Sequence, residues 1–210
     1  MHPIVFATFD RVCRARRAGG AVLEIGAVPS PDSLLLLPAL AGATERVGVS
    51  LDGPSRCGGF EIVRDDANDL AAFPDARFDT VLCNSVLEHD ARFWRTLASI
   101  RRVARPGALV VIGVPGFAPV RPSRWLRAAK AAGRWSRWRA LAAWAEARLA
   151  SAPTLVVHRF PEDYYRFTAA AVRDVFLEGL DAPEVETVLS PPRFVGAGTV
   201  PARADVTRGR

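Results

Sequence analysis

The sequence of 210 residues lacks any apolar run long enough to cross a lipid bilayer, although half of its residues are hydrophobic. We therefore expect no transmembrane helix, and enough apolar side chains to build the core of one α/β domain. The apolar segment 2–9 is followed, not preceded, by basic residues, which reverses the order found in a secretory signal. We interpret it as an amphipathic first helix and expect a cytoplasmic protein.

Cysteine is also scarce. The three cysteines, Cys13, Cys57 and Cys83, are far apart, and no histidines accompany them at the spacing of metal ligands. This pattern argues against a disulfide framework and against a zinc site. We expect reduced thiols with a structural role, and no bound metal.

The excess of positive charge is confined to one stretch of the chain. Of the net charge of +6, residues 121–148 carry +7, which leaves −1 for the remainder. The stretch is rich in alanine, arginine, leucine and tryptophan, a composition that favours helix. We therefore expect a single domain, residues 1–210, with a helical cap inserted at about 116–157.

Two interpretations of this insertion stay open. In one, the cap packs on the domain and its arginines are solvated. In the other, it is a docking surface, either for an anionic or carrier-bound acceptor or, through residues 121–150, for an anionic membrane surface. No recognised nucleic-acid-binding module is present, which argues against a nucleic-acid partner.

Strands are predicted for the apolar runs at 21–26, 46–51, 60–64, 78–84 and 108–114, and for the two final segments 185–189 and 194–200. Helices are predicted at 31–40, from Ser85 to Ala104, and from Thr168 to Gly179. Ser85 and Glu88 have the spacing of a capping box, and the Thr168 helix would bury Val172, Val175 and Phe176. Alternating strands and helices predict an α/β fold with a doubly wound, mostly parallel sheet and an antiparallel last strand.

Four short motifs occur in order between residues 65 and 115. They are Asp66-Ala67, Phe78-Asp79, Leu87-Glu88-His89, and Arg102-Val103 followed by Pro106-Gly107. This block closely resembles the centre of class I S-adenosylmethionine-dependent methyltransferases, especially the small branch related to the ubiquinone-biosynthesis enzymes. A second block, HRFPEDYYRFT at 158–168, resembles a segment that follows the fifth strand in one subgroup. The resemblance implies a Rossmann-like methyltransferase fold, with S-adenosylmethionine as cofactor and a small-molecule acceptor.

In an open parallel sheet, ligands bind beyond the carboxyl ends of the strands, near the switch in strand order. By resemblance, Asp66 takes the adenine amino group, an acid after the second strand takes the ribose, and Gly26 lets the backbone approach the cofactor. The expected cofactor-binding residues are Glu24, Gly26, Ala27, Ser50, Leu51, Asp52, Asp66, Ala67, Asn84 and Ser85. Methyl transfer mainly requires alignment, with a base only where the acceptor loses a proton. His158 is the catalytic candidate, and His89 and Tyr164 are further polar candidates near the mouth.

The chain departs from the family in its first loop, which is normally glycine-rich. After Gly26 it reads Ala27, Val28 and Pro29, residues that resist positive φ or lack an N–H donor, so this loop must follow a different path. A dinucleotide needs backbone N–H groups around its pyrophosphate, so the same departure argues against a dehydrogenase. Three hypotheses therefore remain. The first is a methyltransferase, the second is a noncatalytic partner or scaffold that keeps the fold without the cofactor, and the third is a peripheral-membrane or carrier-protein adaptor that uses the cap.

Overall fold

The computed structural model describes residues 1–117, 162–189 and 191–202. His158 and nearly all of the cap predicted at about 116–157 lie outside the described residues. The described part of the chain has eight strands in one sheet, in the order β3-β4-β2-β1-β5-β6-β8-β7. The strands are β1 Ala21–Ile25, β2 Glu45–Ser50, β3 Ser55–Cys57, β4 Phe60–Arg64, β5 Phe78–Asn84, β6 Ala104–Pro115, β7 Asp181–Val188 and β8 Arg193–Thr199.

The sheet is parallel at its centre and antiparallel at both edges. Strands β4, β2, β1, β5 and β6 run in one direction, whereas β8 is antiparallel to both β6 and β7, and the short β3 is antiparallel to β4. The predicted mixed sheet with an antiparallel closing strand is thus confirmed. The hairpin strand β3 was not predicted.

Helices and turns cover both faces of the sheet. On one face, α1 (Pro3–Ala15) and two 3-10 turns (Leu34–Leu36 and Pro38–Leu40) bury apolar side chains against the strands. On the other face, α2 (Phe93–Val103) and α3 (Ala169–Ala171), which continues into a π-helical turn (Val172–Phe176), contribute to the larger core. The predicted amphipathic first helix is α1, and Thr168 caps α3 as expected, since its Oγ1 accepts a hydrogen bond from the Ala171 amide.

The α-helix predicted at 31–40 is wrong, because the two 3-10 turns replace it. Pro38 lies in the last third of this segment and has no N–H to donate to a continuous helix. In addition, the carboxylate of Glu24 accepts hydrogen bonds from the amides of Leu34 and Leu35, which fixes the first turn in place.

The helix start predicted at Ser85 is also wrong, because α2 begins at Phe93. Ser85 has a left-handed backbone (φ 57°), and its hydroxyl accepts a hydrogen bond from Arg193 instead of capping a helix. Val175, predicted to be buried, is 46% exposed. The π-helical turn explains this difference, since it shifts the side-chain positions away from the 3.6-residue period.

All three cysteines are buried and form no disulfide in the part of the chain that the structure describes. Burial raises the pKa of the Cys13 thiol to about 12, so this thiol is protonated at neutral pH. Within residues 1–117, 162–189 and 191–202, no helix combines the length and the apolar character needed to span a bilayer.

Candidate functional site

The order of strands switches between β1 and β5. In an open parallel sheet, the crevice that binds ligands lies beyond the carboxyl ends of the strands at such a point. Gly26 follows β1 directly and has φ +77°. A Cβ atom at this position would lie 2.3 Å from Cγ2 of Val86, which is in the loop after β5. Glycine is therefore required here both by the backbone conformation and by the close approach of the two loops.

The loop after Gly26 turns onto β2. The amides of Gly26 and Ala27 both donate to the carbonyl of Val49, at 2.9 Å each. Ala27 is fully buried and lies against Gly48, whereas Val28 is 52% exposed and Pro29 is also exposed. The loop thus turns onto the end of β2, and Val28 and Pro29 are exposed to solvent.

Glu24, the acid of the first motif, is buried and bound to the protein itself. Its carboxylate accepts from the Ser33 hydroxyl at 2.5 Å and from the amides of Leu34 and Leu35 at 3.0 and 3.1 Å. Burial raises the pKa of Glu24, and these hydrogen bonds oppose that effect. The two oxygens therefore stabilise the first 3-10 turn.

Ser50, Leu51 and Asp52 form the turn after β2, next to the crevice. The amide of Asp52 donates to Oγ of Ser50 at 3.3 Å, and the carbonyl of Ser50 accepts from Asp65 at the end of β4. Leu51 is 68% exposed, and Asp52 is also exposed. The turn leads directly into the β3–β4 hairpin, so both side chains stand at the rim.

Asp66 and Ala67 follow β4 and lie near the start of α2. The carboxylate of Asp66 is exposed, and its Oδ1 accepts from the Asn68 amide at 2.9 Å. The Asn68 side chain donates to Asp90 at 2.8 Å and to Thr96 at 3.2 Å. This network connects the loop after β4 to the segment that precedes α2, and it holds the Asp66 carboxylate at the open edge.

Asn84 ends β5, and Ser85, the next residue, belongs to a group of polar and charged side chains. We call this group the charge cluster: Ser85, Glu88, Asp163, Arg166 and Arg193. Arg193, the first residue of β8, donates to the Ser85 hydroxyl, and Arg166 forms a bidentate ion pair with Asp163. Arg193 was not predicted from the sequence. A cation at the start of an otherwise apolar strand is the signal that could have indicated it.

Several polar atoms in this region are buried without a hydrogen-bond partner among the described residues. They are both carboxylate oxygens of Glu88 and Oδ1 of Asn84. Nη2 of Arg193 lies 3.8 Å from Oε1 of Glu88, which is an ion pair but too long for a hydrogen bond. Burial raises the pKa of Glu88 to about 7, although the charges of Arg193 and Arg166 lower it.

We expect Glu88→Gln to gain stability relative to the wild type as the pH rises. In the folded protein the pKa of Glu88 is raised from 4.5 to about 7. The stability that Glu88 contributes to the folded state is therefore fully present below the unfolded pKa of 4.5, and it is lost as the pH rises through 7. Between about pH 4.5 and pH 8, the difference in unfolding free energy should grow by on the order of 3 kcal/mol in favour of the variant. Urea unfolding across this range measures the difference.

The exposed Glu178 gives a matched control, because Glu178→Gln changes an acid far from the charge cluster. Its stability difference from the wild type should stay small at every pH. A Glu88→Gln difference that is equally constant would contradict the assignment of Glu88 as a buried acid that titrates near neutrality.

The remaining polar candidates lie beside the charge cluster. Nδ1 of His89 is 3.3 Å from the carbonyl oxygen of Glu162. The amides of Tyr164 and Tyr165 donate to the carbonyl of Glu88, and the Tyr164 side chain is 51% exposed. The loop after β5 and the segment 162–168 are thus joined.

Sequence comparison matches residues 39–112 to the family model described as a methyltransferase domain. No curated protein matches the sequence. The matched segment begins in the second 3-10 turn and ends in β6, so it includes the strand ends that carry Ser50, Asp66 and Asn84.

Several solved structures share the fold. One is 1,6-didemethyltoxoflavin-N1-methyltransferase of Burkholderia thailandensis with its ligand and S-adenosylhomocysteine (17% identity, 94% of this chain and 78% of that chain, TM-score 0.61). Another is a SAM-dependent methyltransferase of Archaeoglobus fulgidus (16% identity, 93% of each chain, TM-score 0.59). A third is the N-methyltransferase NodS of Bradyrhizobium japonicum with S-adenosylhomocysteine (14% identity, 94% and 86%, TM-score 0.58). The chain therefore has the fold of the class I S-adenosylmethionine-dependent methyltransferases, and its central part, residues 39–112, is related to the methyltransferase domain family in sequence as well.

Proposed function

We propose that the protein transfers a methyl group from S-adenosylmethionine to a small-molecule acceptor. The observation that carries this proposal is the carboxyl edge of the parallel strands, where Asp66, Val28 and Pro29 are all exposed to solvent. Asp52, which is also exposed, lies in the turn after β2 at the same edge. These groups fit a ligand that has an amino-bearing purine and a positive charge.

Each predicted residue has a distinct part in this proposal. Asp66 and Ala67 hold the adenine, and Ser50, Leu51 and Asp52 border the ribose. Asn84 and Ser85, at the end of β5, border the amino-acid end. Gly26 and Ala27 form the floor, and Glu24 supports it through the 3-10 turn. When bound, the cofactor supplies a methyl group already activated on a sulfonium.

The chain's own task is to align the acceptor and to exclude water. A base is needed only when the acceptor must lose a proton. His158, in the second sequence block, stays the predicted base. The cytoplasmic location and the contact of residues 121–150 with an anionic surface rest on the sequence and stay predictions.

We expect purified protein to bind S-adenosylmethionine and S-adenosylhomocysteine in a calorimetric titration. Asp66→Ala should weaken both about tenfold or more, because it removes a charge-assisted hydrogen bond to the adenine amino group. Asp69→Ala is the matched control, since Asp69 is an exposed acid three residues away that the proposal does not use. Equal loss in both variants would contradict the role of Asp66.

A noncatalytic partner or scaffold is the second candidate, and one observation favours it. The amides of Gly26 and Ala27 and the carboxylate of Glu24 are all engaged by the protein itself, which leaves the first loop with few groups for a ligand. In that case neither S-adenosylmethionine nor S-adenosylhomocysteine would give heat or a thermal shift. That result would overturn the methyltransferase proposal.

A further inference from the structure

The charge cluster contains a cation that lacks a close counter-ion. Arg166 is paired through both of its terminal nitrogens with Asp163. Arg193 has no equivalent partner in the described residues, because the nearest carboxylate oxygen, on Glu88, is 3.8 Å away. Its closest hydrogen-bond partner is the neutral hydroxyl of Ser85.

The two members of this loose pair differ in access to solvent. The Glu88 side chain is 1% exposed, whereas that of Arg193 is 16% exposed. A ligand at the crevice can therefore reach the guanidinium more readily than the carboxylate. Burial disfavours the charged form of Glu88, so this acid is a weak counter-ion that is readily neutralised.

We propose that Arg193 binds a carboxylate of the methyl acceptor, and that Glu88 takes up one proton from water when this anion arrives. This inference rests on the proposed function and names the charge of its acceptor. With Glu88 neutral and Arg166 matched by Asp163, the cluster has one excess positive charge, which a monoanion balances. A planar guanidinium also matches the two oxygens of a carboxylate.

The other titratable groups that face Glu88 do not supply this counter-charge. Cys83, on β5, is fully buried, and burial raises the pKa of its thiol further above the usual value. Asp163 approaches from segment 162–168, but it is shared with Arg166. An incoming carboxylate thus replaces Glu88 as the partner of Arg193. Protonation of Glu88 avoids the repulsion between its own carboxylate and that of the ligand, which would be strong between buried charges.

Benzoate is a suitable probe, titrated calorimetrically into the full chain in two buffers that differ in ionisation enthalpy. At about pH 8 the wild type should take up close to one proton per benzoate, and its affinity should fall about tenfold per pH unit above 7. Glu88→Gln should bind benzoate with neither proton uptake nor pH dependence. Arg193→Gln should bind at least about tenfold more weakly, with Arg193→Lys in between.

Arg173→Gln, which removes an exposed cation far from the cluster, is the control and should bind as the wild type does. The inference is overturned if benzoate does not bind, if Arg193→Gln binds it unchanged, or if inorganic phosphate binds at this arginine more tightly than benzoate. Proton uptake that persists in Glu88→Gln also overturns it. S-adenosylhomocysteine titrated into the same samples separates the two proposals, because its binding tests the cofactor crevice alone.

Discussion

Glu24→Ala is expected to lower the free energy of unfolding by about 3 kcal/mol or more, because it leaves buried donors without acceptors. The substitution removes the partner of the Ser33 hydroxyl and of the Leu34 and Leu35 amides, in a region where all three residues are buried. Urea unfolding followed by circular dichroism measures the loss. Glu24→Gln should cost less, because its amide oxygen can still accept.

Glu45→Ala is the control for this prediction. Glu45 is an exposed acid at the start of β2 that forms an ion pair with Arg77. Exposed pairs contribute at most about 1 kcal/mol, so this variant should unfold close to the wild type. A Glu24→Ala variant as stable as Glu45→Ala would show that the carboxylate does not stabilise the first 3-10 turn.

Gly26→Ala is expected to cost about 2–4 kcal/mol of stability and to abolish measurable binding of S-adenosylhomocysteine. The new methyl group would face two penalties, a left-handed backbone at φ +77° and a contact of 2.3 Å with Cγ2 of Val86. Relief of the backbone strain or of the close contact would move the loop after β1 away from the loop after β5, and this movement would change the crevice. Thermal unfolding and calorimetric titration report the two effects separately.

The double variant Gly26→Ala with Val86→Ala separates the two penalties. Val86→Ala removes the atom that the new methyl group would meet, so it should recover the steric part and leave the backbone strain. The single variant Val86→Ala should keep the fold, since Val86 is half-buried. If the double variant is no more stable than Gly26→Ala, the contact with Val86 is not the cause of the loss.

The strands of this protein could be predicted closely from the sequence. The segment 78–84 is a strand over the predicted residues. The run at 108–114 lies within β6, because an apolar, β-branched segment is typical of a central strand covered on both faces. The antiparallel closing pair was likewise readable from two apolar segments separated by prolines. The order of the motifs along the chain gave the family resemblance, which the match over residues 39–112 supports.

The first crossover, which connects β1 to β2, and the charge cluster could not be predicted from the sequence, because residues distant in the chain determine them. The segment 31–40 has helix-forming leucines, but Glu24 and Pro38 together fix 3-10 turns. Ser85 and Glu88 have capping-box spacing, yet Ser85 bonds to Arg193, more than one hundred residues later, and Glu88 is buried. A local pattern of this kind is outweighed when long-range partners offer better hydrogen bonds.

The short 3-10 turns after β1 also have an electrostatic consequence for the crevice. In a doubly wound fold, the helix after the first strand usually directs the positive end of its macrodipole at the ligand. Two turns of three residues contain too few aligned peptide units to sum to such a dipole. The first crossover therefore adds no positive pole at this edge, a feature that a phosphate would need and a sulfonium would not.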